Sequence, residues 1–99
     1  MIISGGENIF SNEVENVISG HPAVQEVAVI GIPDPKWVEA VAAFVVLRQG
    51  EEASEQEIID HCRNELSPFK CPKNVVFLEA LPKNPTGKIL KRELRAGYK

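Results

Sequence analysis

The sequence predicts an α+β fold, with a small sheet of about three main strands, a short N-terminal β-hairpin, and helices packed on the sheet. Residues 24–32 and 40–47 are mostly continuous aliphatic runs, which are typical of strands covered on at least one face. Elsewhere, apolar residues recur at helical spacing. A chain of 99 residues is long enough for one modest core, so we expect a single domain.

The first ten residues predict the hairpin, because the Gly5-Gly6 pair separates two short apolar segments. Since a strand starts at the first residue, we expect the chain to be a piece of something longer. Ser11 or Asn12 is expected to cap the first helix, and Gly20 is expected to end it. The predicted buried face of this helix comprises Phe10, Val14, Val17 and Ile18.

A proline-stiffened connection is expected over residues 31–37, between the two long strands, and it carries the single tryptophan, Trp37. Ser54 and Glu57 form a capping box that starts the second helix. We expect Pro68 to stop that helix, because the residue before a proline avoids helical angles. The predicted buried residues of the second helix are Ile58, Ile59, Cys62 and Leu66.

The composition argues against several classes of protein. A net charge of -3 and a pI near 5.4 argue against a general affinity for nucleic acid. No apolar run approaches the roughly 20 residues that are needed to cross a bilayer, so we expect no membrane span. Cys62 and Cys71 lack the spacing of a metal site, which favours a reduced, cytoplasmic setting. His21 and His61 lie on different predicted elements, so we expect no metal to be bound.

Positive charge is concentrated in the C-terminal third of the chain. Most of the 11 Lys and Arg residues lie between Phe69 and Lys99, which suits an anionic ligand such as a nucleotide. Within this third, residues 75–78 predict a third short strand. Leu90 and Leu94, four residues apart, predict a last helix.

A stiff basic loop over residues 81–88 precedes that helix. Its prolines, which include Pro85, fix φ and remove backbone donors, so the loop can join neither a helix interior nor a central strand. Gly87 can adopt a left-handed conformation that lets Lys88 project from a tight turn. A lysine ammonium is well suited to bridging phosphate and carboxylate oxygens. The residues alone therefore indicate an anionic ligand at Lys88, and they go no further.

A purely structural interpretation remains open for three of these features. Closing a hairpin is enough to explain the Gly5-Gly6 pair. Trp37 is either an exposed platform for a base or a cap on the edge of the core. The lysines of the C-terminal third form either a solvated basic face or a binding surface.

Three motifs, in order along the chain, carry a resemblance to a known family. Together they cover essentially the whole sequence, which resembles the small C-terminal domain of the adenylate-forming enzymes, specifically the acyl- and aryl-CoA ligases. The motifs are Ile-Ile-Ser-Gly-Gly-Glu-Asn-Ile at residues 2–9 with residues 12–15, then Gly31-Ile32-Pro33-Asp34 with Trp37 and Glu39, then Pro-Lys-Asn-Pro-Thr-Gly-Lys-Ile-Leu-Lys-Arg at residues 82–92.

The resemblance implies a reaction in two halves. A carboxylate first attacks the α-phosphate of ATP to give an acyl-adenylate, and the thiol of CoA then displaces AMP. By this resemblance, Lys88 is the catalytic lysine of adenylation, supported by Pro85 and Gly87. The domain then rotates, which withdraws Lys88 and brings the Gly5-Gly6 turn to the pantetheine tunnel. Fatty acid metabolism is the setting that this reaction suggests.

The resemblance also implies a set of CoA contacts. Cys71 stands where some relatives have arginine, and Val38 stands where a glycine commonly follows the tryptophan, so both positions depart from the family pattern. The residues expected to line the CoA and pantetheine channel are Gly5, Gly6, Glu7, Trp37, Phe69 and Lys73.

By the same resemblance, residues 1–99 form the small mobile domain of a ligase whose large N-terminal domain is absent. That domain is expected to hold ATP, Mg²⁺ and most of the acyl pocket, so the isolated chain is expected to be essentially inactive. The expected partners are the large domain, CoA and the acyl-adenylate. Two other functions stay open: an adenylation domain that serves a carrier protein, and a free-standing interaction module.

Overall fold

A computed structural model describes residues 2–4, 7–36 and 38–97, and it has the predicted α+β fold. Five strands and three α-helices are present in the described ranges. In chain order they are β1 (Ile2–Ser4), β2 (Glu7–Ile9), α1 (Ser11–Ser19), β3 (Val24–Asp34), β4 (Val38–Leu47), α2 (Glu55–Arg63), a 3₁₀ turn (Pro68–Lys70), β5 (Asn74–Phe77) and α3 (Lys91–Gly97).

The long antiparallel pair β3 and β4 forms the centre of the sheet. Its register runs from Val24 opposite Leu47 to Asp34 opposite Val38. The other side of β4 is shared by two elements: β5 pairs with it in parallel, and the β1–β2 hairpin meets it at the pair Ser4 and Val38. The hairpin and β5 therefore lie end to end along one strand.

Each face of the sheet has its own hydrophobic core. On one face, α1 and α2 bury residues such as Val14, Ile18 and Ile58 against Val29 and Val41. On the other face, the segment after β5 covers the sheet and contributes Leu81 and Leu94. Because side chains alternate along a strand, the two long strands supply apolar residues to both cores, which explains their nearly continuous aliphatic sequence.

The predicted connection between β3 and β4 was too long. β3 continues through Pro33 to Asp34, so residues 31–34 are paired strand and are not part of a loop. A proline has no backbone N–H to donate. It is tolerated there because β3 lies at the edge of the sheet and, within the described ranges, has no neighbouring strand on one side. Trp37, which was expected in this connection, lies outside the described residues.

The predicted start of α1 was also wrong in two respects. The helix begins at Ser11 with Phe10 as its N-cap, and the hydroxyl of Ser11 accepts a hydrogen bond from Lys91 Nζ at 3.2 Å instead of capping the helix. Phe10 is 57% exposed, because it follows the buried Ile9 in extended backbone and so points to the opposite side. Gly20 is the C-cap, as expected.

The second helix starts as predicted but ends early. Ser54 is its N-cap, and the hydroxyl oxygen accepts a hydrogen bond from the Glu57 amide at 3.1 Å. The helix stops at Arg63, where two following amides both bond to the Cys62 carbonyl and tighten the last turn. Pro68 therefore does not stop α2, and it instead begins the 3₁₀ turn.

Glutamates from the helices cover backbone donors of strands at the sheet's outer sides. The Glu15 carboxylate of α1 accepts the Val29 amide of β3 at 2.8 Å, and it also pairs with Lys91 of α3 at 2.8 Å. In the same way, Glu55 of α2 accepts the Val75 amide of β5 at 2.8 Å. Each glutamate therefore covers one edge amide and fixes its helix on the sheet.

The Glu15→Ala substitution is expected to lower the free energy of unfolding by about 1–3 kcal/mol, because it leaves the Val29 amide without its acceptor. Chemical denaturation followed by circular dichroism would measure the change. Glu51→Ala is the matched control, since the exposed Glu51 side chain should contribute less than about 0.5 kcal/mol. Equal stabilities for the two variants would contradict the role given to Glu15.

Both cysteines are buried free thiols in the core under α2. Burial, with a smaller contribution from neighbouring Cys71, raises the pKa of Cys62 to about 12. Burial also raises the pKa of Cys71, opposed by the nearby Arg63 guanidinium. The expectation that Cys62 is a core residue is confirmed.

These pKa shifts predict slow alkylation of Cys62 in the folded protein, because the thiolate is the reactive form. At pH 8, iodoacetamide should label Cys62 far more slowly in buffer than in denaturant, as measured by mass spectrometry. The folded state keeps its proton at a pH where the unfolded thiol ionises. The thiol's contribution to stability is therefore lost as the pH rises above 9.0 towards about 12. Equal labelling rates in the two conditions would contradict the burial.

Candidate functional site

The loop before α3 closes on itself like a short hairpin. Lys83 and Ile89 form an isolated antiparallel bridge, and the Leu90 amide donates to the Pro82 carbonyl at 2.8 Å. Inside this bridge, the Asn84 amide donates to the Lys88 carbonyl at 2.9 Å. The two ends of the loop are thus held together by backbone hydrogen bonds.

The side chain of Asn84 organises the tip of the loop. Its Oδ1 atom accepts three hydrogen bonds, from the Thr86 amide at 3.0 Å, the Thr86 hydroxyl at 2.7 Å and the Lys88 amide at 3.0 Å. The Asn84 carbonyl also accepts the Gly87 amide at 2.9 Å. Asn84 was not among the predicted site residues, although an asparagine followed by proline and glycine is a known signal for such a turn.

Gly87 completes the turn with a φ of +88°, in the left-handed region that favours glycine. No atom would lie within 4 Å of a Cβ at this position, so the requirement for glycine comes from the backbone angle and not from crowding. Pro85, one residue after Asn84, is exposed and needs no backbone partner. The loop is therefore rigid for local reasons.

Lys88 is exposed at the end of this turn. In the ranges that the structure describes, no side chain forms a hydrogen bond or ion pair with its ammonium. Three other lysines are held by carboxylates: Lys70 pairs with Glu13 at 2.8 Å, Lys83 pairs with Glu26, and Lys91 pairs with Glu15. Lys88 thus combines a fixed backbone with an ammonium available to a ligand.

The other predicted site residues are only partly described. Gly5, Gly6 and Trp37 lie outside the described residues, and only the backbones of Glu7, in β2, and Phe69, in the 3₁₀ turn, are described. Lys73 is exposed, and its amide donates to the Val41 carbonyl of β4 at 2.9 Å. Lys73 also lines an open cleft of about 260 Å³, together with Gln56, Ile59, Arg63, Pro68, Cys71 and Pro72.

The predicted residues fall at two ends of the sheet. The loop over residues 81–88, hereafter the Lys88 loop, contains at its base Lys83, which pairs with Glu26 near the start of β3. The hairpin, in contrast, meets β4 at Val38, opposite the end of β3. The eight residue steps from Glu26 to Asp34 span about 27 Å of extended strand. Lys73, bonded to Val41, lies towards the hairpin end. The structure therefore does not bring the base of the Lys88 loop close to the hairpin.

The two histidines are neighbours, which the sequence analysis did not anticipate. Their ring centroids lie 5.2 Å apart in an edge-to-face arrangement. The Ala23 amide donates to His21 Nδ1 at 3.1 Å, and His61 Nε2 lies 2.8 Å from the Val17 carbonyl. The described residues contain no group of three side chains that could hold a metal ion. Both imidazoles thus serve to join α1, α2 and the turn before β3.

Comparison with known proteins places this geometry in a family. Residues 13–88 match the family described as AMP-binding enzyme C-terminal domain. A long-chain-fatty-acid–CoA ligase of Mycobacterium tuberculosis is 58% identical over 98 residues, which cover 99% of this chain and 19% of the relative.

Solved structures agree with this assignment. A fatty acyl CoA synthetase of Mycobacterium tuberculosis superimposes with a TM-score of 0.94 at 58% identity, covering 99% of this chain and 19% of that one. ATP-bound MatB of Rhodopseudomonas palustris gives a TM-score of 0.94 at 38% identity, covering 97% and 19%. The chain thus spans about a fifth of the length of each of these proteins.

No helix in the described ranges is long and apolar enough to cross a membrane.

The matched family region includes the whole Lys88 loop and all the strands after the hairpin. The match covers most of the sequence, and close relatives extend it over the hairpin. The chain therefore belongs to the family of C-terminal domains of AMP-binding, adenylate-forming enzymes, and its relatives include acyl-CoA ligases.

Proposed function

We propose that this chain is the C-terminal domain of an ATP-dependent acyl-CoA ligase. The ligase converts a carboxylate and ATP into an acyl-adenylate, and it then transfers the acyl group to the thiol of CoA. The observation that supports this most is the Lys88 loop, where a rigid turn presents an ammonium that the described residues leave without a partner. Relatives named as CoA ligases support the same reaction class.

Lys88 acts in the first half of the reaction. Negative charge builds up on the α-phosphate and on the attacking carboxylate as adenylation proceeds, and a fixed ammonium stabilises that charge most when it needs no reorganisation. Asn84 and Gly87 hold the backbone of Lys88 in place before substrate arrives. An ammonium without a competing carboxylate is free to contact the oxygens of the substrate.

The hairpin end of the domain acts in the second half. Gly5, Gly6 and Glu7 line the pantetheine channel, while Trp37, Phe69 and Lys73 contact the nucleotide part of CoA. The base of the Lys88 loop and the hairpin are held at opposite ends of the β3–β4 pair. One rigid domain cannot present both ends to a single site at once, so it turns between the two half-reactions.

A large upstream domain provides the rest of the active site. The chain covers 19% of the ligase that it resembles, and Lys88 lies on an exposed loop. We assign ATP, Mg²⁺ and the acyl pocket to that domain. The chain alone therefore catalyses neither half-reaction at a useful rate.

The cytoplasmic localisation expected from the sequence remains a prediction.

In the full-length ligase, Lys88→Ala is expected to slow adenylation by at least about 100-fold, because it removes a charge that stabilises the transition state. Pyrophosphate exchange would measure this half-reaction. Thioester formation from supplied acyl-adenylate should fall much less. Lys83→Ala is the matched control, since Lys83 lies in the same loop but pairs with Glu26.

Equal losses in the two half-reactions would contradict the role of Lys88, as would an equal effect of Lys83→Ala on adenylation. Offering CoA and a carrier protein as competing acceptors tests the rest of the proposal. Transfer to the carrier protein alone would favour an adenylation domain that serves a carrier. Failure to form any acyl-adenylate would favour a non-catalytic interaction module.

The Asn84→Ala substitution is expected to slow adenylation by about ten-fold, because it removes the acceptor that fixes the Lys88 amide. Asn84→Asp keeps an oxygen at the same place and should retain most of the rate. Pyrophosphate exchange by both variants, measured beside Lys88→Ala, decides the point. Similar rates for the Ala and Asp variants would show that the acceptor does not position Lys88.

A further inference from the structure

Within the described residues, strand pairing joins the β1–β2 hairpin to β4 at one register position. In the described ranges, its strand pairing with β4 is limited to Ser4 opposite Val38, because β5 occupies the following part of that side. Ile2 and Ile9 anchor one face of the hairpin in the core. Burial of these two side chains keeps the hairpin against the core. Because burial is non-directional, polar contacts must fix the lateral position of the hairpin, which is its position in the plane of the sheet relative to β4.

Glu39 provides such a polar contact beside the register pair of Ser4 and Val38. This residue follows Val38 in β4, and its Oε1 atom accepts a hydrogen bond from the Ile3 amide at 3.0 Å. The carboxylate thus ties the backbone of β1 to β4 next to the place where the two strands separate. Hydrogen bonds to charged groups are stronger than those between neutral groups.

Gly31 of β3 leaves the space that this carboxylate occupies. A Cβ at position 31 would lie 2.6 Å from Glu39 Oε2, closer than packed atoms allow, and 3.1 Å from Ile2 Cγ2, which is a tight contact. Gly31 is not among the glycines with a positive φ. Crowding, and not backbone conformation, therefore explains why a glycine fits here.

We propose that Glu39, seated in the space left by Gly31, is a positioning residue for the second half-reaction. It fixes the lateral position of the hairpin and thereby the backbone of Glu7 in β2, which the proposed function places in the pantetheine channel. This inference rests on the proposed function, because it assigns Glu39 to the formation of the pantetheine channel. In this proposal, Glu39 contacts the protein backbone at Ile3 and does not contact the substrate.

The effect of Glu39 is confined to one half-reaction. The Lys88 loop is tied through Lys83 to Glu26 near the start of β3, whereas Ile3 is bonded to Glu39, which lies opposite Pro33 near the end of β3. A shift of the hairpin therefore leaves the Lys88 loop in place. A small displacement of a positioning element can cost up to about 100-fold in rate, so a selective defect is measurable.

The test uses the full-length ligase with Glu39→Ala, Glu39→Gln and Gly31→Ala. Glu39→Ala and Gly31→Ala should each reduce thioester formation from acyl-adenylate and CoA by about ten-fold, with adenylation within about two-fold of wild type. Glu39→Gln keeps an acceptor oxygen and should retain most of the activity. Thermal unfolding of each variant separates a selective defect from loss of the fold.

Amide hydrogen exchange on the 99-residue chain gives a second measurement that does not depend on catalysis. In Glu39→Ala, the Ile3 amide should exchange at least about ten-fold faster, while the amides of the Lys88 loop are unchanged. If the Ile3 amide of Glu39→Ala exchanges at the wild-type rate, the inference is overturned, whatever the stability and activity of the variant.

The two proposals fail in different ways. If the wild-type enzyme makes thioester and Glu39→Ala does so at the same rate, the inference is overturned and the proposed function stands. Equal losses in both half-reactions would also overturn it. If the wild-type enzyme forms no thioester from acyl-adenylate and CoA, the proposed function fails, together with the role of Glu39 in it.

Discussion

The antiparallel pairing of β3 with β4 is the constraint on which the rest of the molecule depends. Ten register pairs hold the two strands together, β1 and β5 both pair with β4, and β2 is joined through β1. The helices α1 and α2 cover one face, and the segment that contains the Lys88 loop and α3 covers the other. Because the pair is long, the ion pair of Lys83 with Glu26 and the strand pairing of Ser4 with Val38 lie towards its opposite ends.

Polar side chains fix the elements that the hydrophobic core leaves free to slide. Glu15 and Glu55 tie helices to strand amides, and Glu39 ties the hairpin to β4. Asn84 does the same within the Lys88 loop. Hydrophobic burial is non-directional, so it can hold an element against the sheet without fixing its position along it. Directed hydrogen bonds supply that second kind of information.

Much of the fold was predictable because its signals are local. The Ser54 cap, the aliphatic strands and the Gly20 helix end each depend on a few neighbouring residues. Errors arose where the outcome depended on distant partners. Pro33 lies in a strand because β3 happens to be at the sheet edge, and Phe10 is exposed because the adjacent Ile9 takes the buried side. The edge position of β3 cannot be inferred from the residues around Pro33, and the outward orientation of Phe10 follows only once Ile9 is known to be buried.

The candidate site divides in the same way. The sequence by itself determined that residues 81–88 form a stiff basic loop, that Gly87 suits a left-handed turn, and, through its motifs, which family the chain resembles. Only the tertiary structure decided which lysines are already paired with carboxylates, and that Gly31, Glu39 and Ile3 meet. Ion pairs such as Lys83 with Glu26 join residues 57 positions apart. Such contacts depend on how strands and helices pack in three dimensions, which local sequence spacing does not encode.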